Sequence, residues 1–433
     1  MDRTRSGLLT VIALIAASVV ASFACNSSQS STRAEFPTQV TLQPTATAES
    51  QAFQTPGAPT FGDGFVEYPE IPILNVSTRD WEDTNFRRYA SEVDPSDFVQ
   101  GGVGRNDIAP IYSPKFIPLG VAVLFDWMTA DHPMVVLEID GDARAYPMAM
   151  LTIHEIVNDT VAGEPIVVTY CPLCYTALAF KRTVDGRSLT FGSTGTLRHS
   201  NQLMWDDATD SWWQQVTGQA VVGDMAGTTL EPVPVFITSF SEFIRTYPSG
   251  TVLSPESMPS EFHGGYGFTA YLNYDWPNNR PYLFYGELDQ RLDPIERVLG
   301  LEAGEVSMAF PFKDLSDAGV TETKVGDQDV VVFWRSGMLS PLDQEVIAES
   351  RDIGSAAAFD PELPDGRILT FTSVASGGFV DDQTGSEWTL LGRALSGALA
   401  GTQLDPLHAE NGMWFVWEVF RPETLIYDPD LAS

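Results

Sequence analysis

Two cysteines, Cys171 and Cys174 in the run Cys171-Pro172-Leu173-Cys174, are the residues of this chain best suited to chemistry. A CxxC pair can close a disulfide, exchange electrons as a dithiol, or present two thiolates to a metal. An acid-base pair, His154-Glu155, lies upstream in the same stretch, followed by Asn158 and Asp159. Apolar, β-branched runs at Glu155–Val161 and Pro165–Tyr170 flank Ala162-Gly163-Glu164, a pattern that reads as a hairpin. Pairing outward from that turn sets 161 opposite about 165 and 155 opposite about 171, so His154 or Glu155 is expected beside the CPLC turn. Neighbours on a strand face opposite sides, so only one of the two can point at the sulfurs.

Three chemistries compete for this constellation. As a metal site, Cys171, Cys174 and His154 supply three ligands and Glu155, His199 or Met204 a fourth; thiolate with His or Met suits zinc or copper(I). As a redox site, the pair cycles between dithiol and disulfide, and Cys171→Ser is expected to trap mixed disulfides through Cys174. A purely structural disulfide in so short a loop stabilises by only about 2 kcal/mol, which a body of this size does not need. Other assignments fail on local grounds. Tyr175 follows Cys174 where a c-type haem needs His, and a strand-like Thr176–Arg182 follows where thioredoxin needs a long helix. Five histidines exclude a His-rich site, and there is no G-x-S-x-G for a serine hydrolase.

The surrounding chain is β-rich, either all-β or α+β, with few short helices such as one near Phe240–Thr246. Val135–Ile139 and Ala143–Tyr146 flank Asp140-Gly141-Asp142 as one hairpin, and Thr176–Arg182 and Ser188–Gly192 flank Val184-Asp185-Gly186 as another. Residues 1–25 read as a lipoprotein-type signal: Arg3 and Arg5, an apolar run from Leu8 to Phe23, then Ala24 and Cys25, the residue expected to be lipidated; Ser22, unusual three before such a cysteine, leaves an ordinary signal peptide or an uncleaved anchor as the alternatives. Residues 26–62, rich in Ser, Thr, Pro and Gln, bury too little apolar surface to offset the entropy of ordering and read as a disordered tether. These features predict an extracytoplasmic, membrane-anchored protein, at the cell surface or in the periplasm, whose membrane contact is the lipid. With 24 Lys and Arg against 58 Asp and Glu the net charge is −34, which repels phosphate backbones and excludes nucleic acid as a partner.

An internal duplication separates scaffold from chemistry. Arg144-Ala145-Tyr146-Pro147 answers to Met308-Ala309-Phe310-Pro311, and Pro165–Tyr170 to Asp329–Trp334. Asp206–Trp213 answers to Asp381–Trp388, and Ala226–Pro232 to Ala400–Pro406. The expected organisation is a first half over residues 63–297, with HEIVND and CPLC, and a degenerate second half over 298–433. In this alignment Cys171 falls on Arg335, Cys174 on Met338, His154 on Ala318, Glu155 on Gly319 and Asn158 on Glu322. His199, Asn201 and Met204 lie where the second half is shorter. The polar members of the constellation therefore belong to the first half alone, and Asn158, Asp159 and Asn201 join the candidate site. A binding-module reading stays open, with Trp205, Trp212, Trp213, Trp388, Trp414 and Trp417 as platforms for an extracellular glycan or other ligand; buried core aromatics are the plainer account.

Taken together, His154-Glu155-Ile156-Val157-Asn158-Asp159, Thr169-Tyr170-Cys171-Pro172-Leu173-Cys174, Ser200-Asn201 and Ser211-Trp212 resemble the domain-of-unknown-function family 3179 (DUF3179), secreted or lipid-anchored prokaryotic proteins. The resemblance covers nearly all of the chain after the tether. It implies an address and no mechanism. Asp206-Asp207 departs from the family pattern, in which Asp is followed by Arg.

Overall fold

Strand residues exceed helical ones, 38% against 12%, in several small sheets with a propeller-like arrangement, as the β-rich reading requires. The computed structural model describes residues 60–62, 64–72, 74–374 and 377–430. The signal, Cys25 and nearly all of the tether lie outside the described residues. Strand pairing begins at Thr60–Gly62, which lies antiparallel to Phe65–Glu67.

The hairpins form where two successive residues adopt the left-handed conformation, the turn geometry that matches the twist of the flanking strands. Asp140-Gly141 (φ 49° and 85°) joins Pro133–Ile139 to Asp142–Pro147, and Ala162-Gly163 (48° and 89°) joins Ile156–Val161 to Glu164–Cys171. This second turn is tighter than the sequence suggested. Val161 pairs with Glu164 and Ile156 with Thr169, a register about one residue from expectation. His154 is not a strand residue; it ends the helix Met148–His154. A further correction concerns Thr176–Lys181, which pairs with Glu164–Cys171 and Pro232–Val233 rather than with the 188–192 run. Phe191–Arg198 turns at His199-Ser200 to pair with Asn201–Asp206.

Two series of elements follow one another in the same order. In the first, Phe236–Ser239, Pro133–Ile139, Asp142–Pro147 and Thr251–Leu253 lie side by side, the last pair parallel. In the second, Ala409–Met413, Arg297–Ala303, Val306–Pro311 and Leu425–Ile426 repeat that order, again with the last pair parallel. Pro232–Val233, Thr176–Lys181, Glu164–Cys171 and Ile156–Val161 are likewise answered by Asp405–Pro406, Ser355–Asp360, Gln328–Arg335 and Val320–Val325. Helices Met148–His154 and Phe312–Ala318 occupy equivalent places, as do Phe240–Thr246 and Trp414–Phe420. The described residues all fall in one compact unit.

Each series ends with a helix packed on the other. Glu242, on Phe240–Thr246, receives a 2.5 Å hydrogen bond from Arg335 and another from the Leu390 amide at 2.7 Å, both in the second series. Reciprocally, the Met413 amide, just before Trp414–Phe420, donates to the Cys174 carbonyl at 3.0 Å, and Phe415 and Val416 share a buried cluster with Cys171 and Cys174. The cysteines are thus enclosed by residues from both series.

Equivalent anchors hold the sheet that contains Phe191–Arg198, Asn201–Asp206 and Trp212–Gln214 and, in the second series, the sheet of Phe371–Ser373, Phe379–Asp381 and Glu387–Trp388. Asp206 accepts from the Trp213 indole at 2.9 Å and from the Ala208 and Thr209 amides, and Asp381 accepts from the Trp388 indole at 3.0 Å and from the Thr384 and Ser386 amides. Both carboxylates are buried. Removing either leaves several buried donors unpaired, at a cost of about 1–3 kcal/mol for each such group. Asp206→Ala and Asp381→Ala are therefore expected to destabilise by similar amounts, on the order of 3 kcal/mol each, in urea melts. A loss under about 1 kcal/mol for either would contradict the anchor role.

Trp212, Trp213, Trp388, Trp414 and Trp417 are buried, so their faces are not available as external platforms. Trp205 is half-buried beneath the Arg105 guanidinium, 3.8 Å from its ring centre. Core packing is the role these aromatics serve.

Candidate functional site

Cys171 ends its strand and Cys174 closes the turn that follows, and the two sulfurs lie 3.2 Å apart. Both are free thiols, 1% and 0% exposed. Their surroundings are unequal. Burial opposes the Cys171 thiolate, but the Cys174 thiol and the amides of Gln202, Cys174 and Leu173 hydrogen-bond its sulfur and bring the thiol below its ordinary value. Burial, the hydrogen bond with Cys171 and the Cys171 charge push the Cys174 thiol well above its ordinary value, against a weaker opposing contact from Asn201. Cys171 is thus the more acidic thiol of the pair and Cys174 the less acidic. The Cys174 sulfur also lies 3.4 Å from the Ser200 carbonyl oxygen.

Behind Cys174 stands a buried polar network. Asn201 donates to the Cys174 sulfur at 3.4 Å and to Gln215 Oε1 at 2.8 Å, while its carbonyl accepts from Gln214 at 2.6 Å and from the Val216 amide at 3.0 Å. Gln215 also receives the Thr176 hydroxyl at 2.9 Å and donates to the Thr169 hydroxyl at 3.0 Å. With its carbonyl occupied by two donors, the Asn201 amide can present only N–H to sulfur. A network satisfied at each member fixes side-chain positions closely.

Glu155 directly follows the helix and is one of the two residues expected near the cysteines. Its φ of 56° lies in the region glycine favours, and its side chain is buried. The equivalent residue of the second series is Gly319, at φ 72°. Burial, with the nearby Cys171 charge adding to it, pushes the carboxyl well above the usual carboxylate range. Burial and the Cys171 charge thus both favour the protonated form of Glu155.

The other sequence candidates divide. His154 has both ring nitrogens engaged, Nδ1 with the Ala109 carbonyl at 2.8 Å and Nε2 with the Tyr266 hydroxyl at 3.0 Å. The carbonyl requires Nδ1 to carry the proton, so Nε2 accepts from Tyr266. Asn158 pairs with both backbone groups of Phe191, tying two sheets together; Glu322 takes the equivalent Phe371 amide at 2.7 Å. Asp159 is held by Arg144 at 2.8 Å and the Tyr146 hydroxyl at 2.7 Å. Met204 is buried in the same cluster as the cysteines, and His199 faces Asp97 at 3.4 Å. Among the described residues no group of three or more His, Cys, Asp and Glu is placed to hold a metal ion.

Residues the sequence reading missed include Thr169, Thr176, Gln214, Gln215, Ser200, Tyr271 and Tyr274. A signal existed for some: in the alignment already drawn, Thr169 falls on Phe333 and Gln215 on Leu390, polar residues answered by apolar ones. Tyr274 comes from the long run before Arg297 and donates its hydroxyl to the Leu173 carbonyl at 2.8 Å.

The buried histidines set an acid limit on stability. Burial lowers His154 to about 4 and His132 to about 3, and neither His132 nitrogen has a hydrogen-bond partner. Their folded values lie below the ordinary 6.5, so the unfolded chain binds protons first as the pH falls. Stability present above pH 6.5 is expected to be lost toward pH 4, by about 3 kcal/mol for each histidine. His132→Phe removes one such group and an unpaired imidazole. Urea melts at pH 7 and pH 4 should show the variant losing about half as much stability as the parent; equal losses would refute the assignment.

Among the described residues no helix is long and apolar enough to cross a membrane. No curated protein and no solved structure matches the chain. The profile of the family described as Protein of unknown function (DUF3179) matches residues 105–424, which takes in the CPLC turn, Glu155, Asn201 and both series of strands. With well over half of its length so matched, the chain belongs to the DUF3179 family.

Proposed function

We propose that this chain is an extracytoplasmic, lipid-anchored thiol-disulfide redox protein in which Cys171 is the attacking thiolate, Cys174 the resolving thiol and Glu155 the neighbouring proton carrier. The observation that carries the reading is the geometry of the pair: sulfurs 3.2 Å apart, with three amides and a thiol directed at one of them. Two thiolates on a tetrahedral zinc, at about 2.3 Å each, stand roughly 3.8 Å apart, and a disulfide bond is about 2.05 Å. The observed spacing suits an S–H to S⁻ contact, one bond short of a disulfide. In the reaction the Cys171 thiolate attacks an external disulfide and displaces one thiolate. Cys174, losing its proton, then attacks Cys171 and displaces the second, so two protein thiols are oxidised and one disulfide is reduced to two thiols.

Copper or zinc on Cys171, Cys174 and His154 is the alternative. It requires His154 to leave one of its two hydrogen bonds and the sulfurs to separate. One experiment divides the readings. Protein purified from an oxidising compartment is assayed for free thiols, for metal content, and for return of two thiols on reduction. Reversible loss of two thiols without metal supports the redox reading; two persistent thiols with one equivalent of copper or zinc would replace it with the metal reading.

A further inference from the structure

From residue 266 to 296 the chain forms no helix or strand. Unstructured runs of this length in compact domains are usually functional or disordered, and this one packs on the cysteine site. Tyr271, Tyr274, Phe284 and Leu288 lie against the buried cluster that contains both sulfurs. Its later part is lightly held. Residues 280–292 make no backbone-to-backbone hydrogen bond. Two hydrogen bonds tie Tyr282 to the site: the Ser200 hydroxyl donates to its carbonyl at 2.5 Å, and its amide donates to the Tyr274 hydroxyl at 3.3 Å, while the carbonyl of the same Ser200 lies 3.4 Å from the Cys174 sulfur.

This flap carries a cavity of about 410 Å³, lined by Arg280, Pro281, Phe284, Gly286, Glu287, Leu288 and Gln290. That volume is within the range of small-molecule sites. Its Phe284 packs against the cluster that holds the cysteines, with its ring 6.4 Å from the His199 ring and 5.4 Å from Phe415. Two of its walls are charged and opposite in sign. Neither the Arg280 nor the Glu287 side chain takes part in an ion pair or hydrogen bond among the described residues, and both are exposed to solvent. A guanidinium and a carboxylate held in one cavity without pairing to each other form the complement of a zwitterion, and Phe284 and Leu288 between them offer an apolar surface for a short aliphatic stem.

The geometry points to this cavity as the subsite for the redox partner, and to that partner as an amino-acid disulfide whose carboxylate meets Arg280 and whose ammonium meets Glu287. The inference rests on the redox reading of Cys171 and Cys174. Since both sulfurs are buried, the reaction requires the flap to lift, which parts Tyr282 from Ser200 and Tyr274, Phe284 from Phe415 and Arg291 from the Thr424 carbonyl. The exchange is balanced within itself: the disulfide bond of the partner breaks, two amino-acid thiols leave, and the Cys171–Cys174 bond forms.

Four disulfides test the charge pattern on the full chain in its reduced form: cystine, with both charges; 3,3′-dithiodipropionate, with carboxylates alone; cystamine, with ammonium groups alone; and bis(2-hydroxyethyl) disulfide, with neither. Oxidation is followed as loss of two protein thiols. Cystine is expected to react fastest, and the ratio of its rate to that of the uncharged disulfide should fall about tenfold in Arg280→Gln and in Glu287→Gln, one charge-assisted contact each. The net charge of −34 alone would favour cystamine and retard dithiodipropionate. Cystamine outrunning cystine, or an unchanged ratio in both variants, would therefore overturn the subsite while leaving the redox reading in place. If none of the four disulfides nor diamide oxidises the pair, the redox reading falls and the subsite with it.

Discussion

Cys174→Ser is expected to accumulate a stable mixed disulfide on Cys171 when treated with a small disulfide, whereas Cys171→Ser should react at least about tenfold more slowly. The sequence alone suggested the reverse, a trap on Cys174 in the Cys171→Ser variant. The amides of Gln202, Leu173 and Cys174 all serve Cys171, and they exchange the roles. Only the thiolate attacks, and the thiolate fraction changes tenfold for each unit of acidity. Nucleophilicity recovers about half of that on a logarithmic scale, so thiols displaced in opposite directions from their ordinary value should still differ by about an order of magnitude or more. Intact-mass measurement after timed exposure gives the adduct and its rate. Equal trapping on either cysteine would remove the asymmetry, and no trapping on either would remove the redox role. Stability is a separate readout. Oxidising the parent adds a short-loop constraint of about 2 kcal/mol at most, so a much larger change in melting would indicate that the flap is also altered.

Legibility in the sequence followed how local each determinant is. Hairpin turns such as Asp140-Gly141 and Ala162-Gly163 are set by two residues, and they stand where the turn signals put them. Helix Phe240–Thr246 was visible because Ser239 begins it, its hydroxyl accepting the Glu242 amide, and Tyr247-Pro248 ends it. Comparing the two series of the sequence also marked Cys171, Glu155 and Asn201 as belonging to the first alone, and these three surround the sulfurs. Asn158 showed where that comparison misleads, since Glu322 performs the same pairing with different chemistry. Helix Met148–His154 was hidden for a particular reason. Its counterpart Phe312–Ala318 is stopped by Gly319, the usual signal for a helix end, but the first series has Glu155 there and the signal is erased. The flap could not have been placed, because its contacts with Leu173 and Ser200 span about a hundred residues with no periodic pattern to announce them. Nor could the reciprocal closure: at the place of Cys171 the second series has Arg335, neutralised by Glu242 from the opposite helix, whereas Val416 answers to Glu242 beside the cysteines.

The same substitution of acid for glycine makes Glu155 the residue at which stability and activity should separate. A residue with a Cβ at φ 56° carries strain on the order of 1 kcal/mol that glycine would not, and burial of the carboxyl disfavours its charged form, a cost that grows as the pH rises. Its ionisation sets the pH dependence. The folded value lies above the unfolded one, so the folded protein retains a proton that the unfolded chain releases above about pH 4.5. Stability is then greatest below that pH and declines as the pH rises toward the folded value. Glu155→Gly should therefore be more stable than the parent by about 2 kcal/mol at pH 8, the sum of released strain and removed acid less the packing lost, and by a smaller margin at pH 4.5. Glu155→Gln keeps the backbone strain, so it should lose the pH dependence without gaining as much stability. Both variants lack the carboxyl that can give its proton to the first departing thiolate and, as carboxylate, then take the Cys174 proton, and both should resolve the Cys171 mixed disulfide about 10–100-fold more slowly, as loss of a general base commonly requires. Urea melts at the two pH values and stopped-flow loss of the mixed disulfide measure the two effects on the same proteins. A Glu155→Gly protein that is less stable at pH 8 would mean that the side chain supports the fold by packing. A resolution rate equal to that of the parent in both variants would mean that the Cys174 proton leaves by another path.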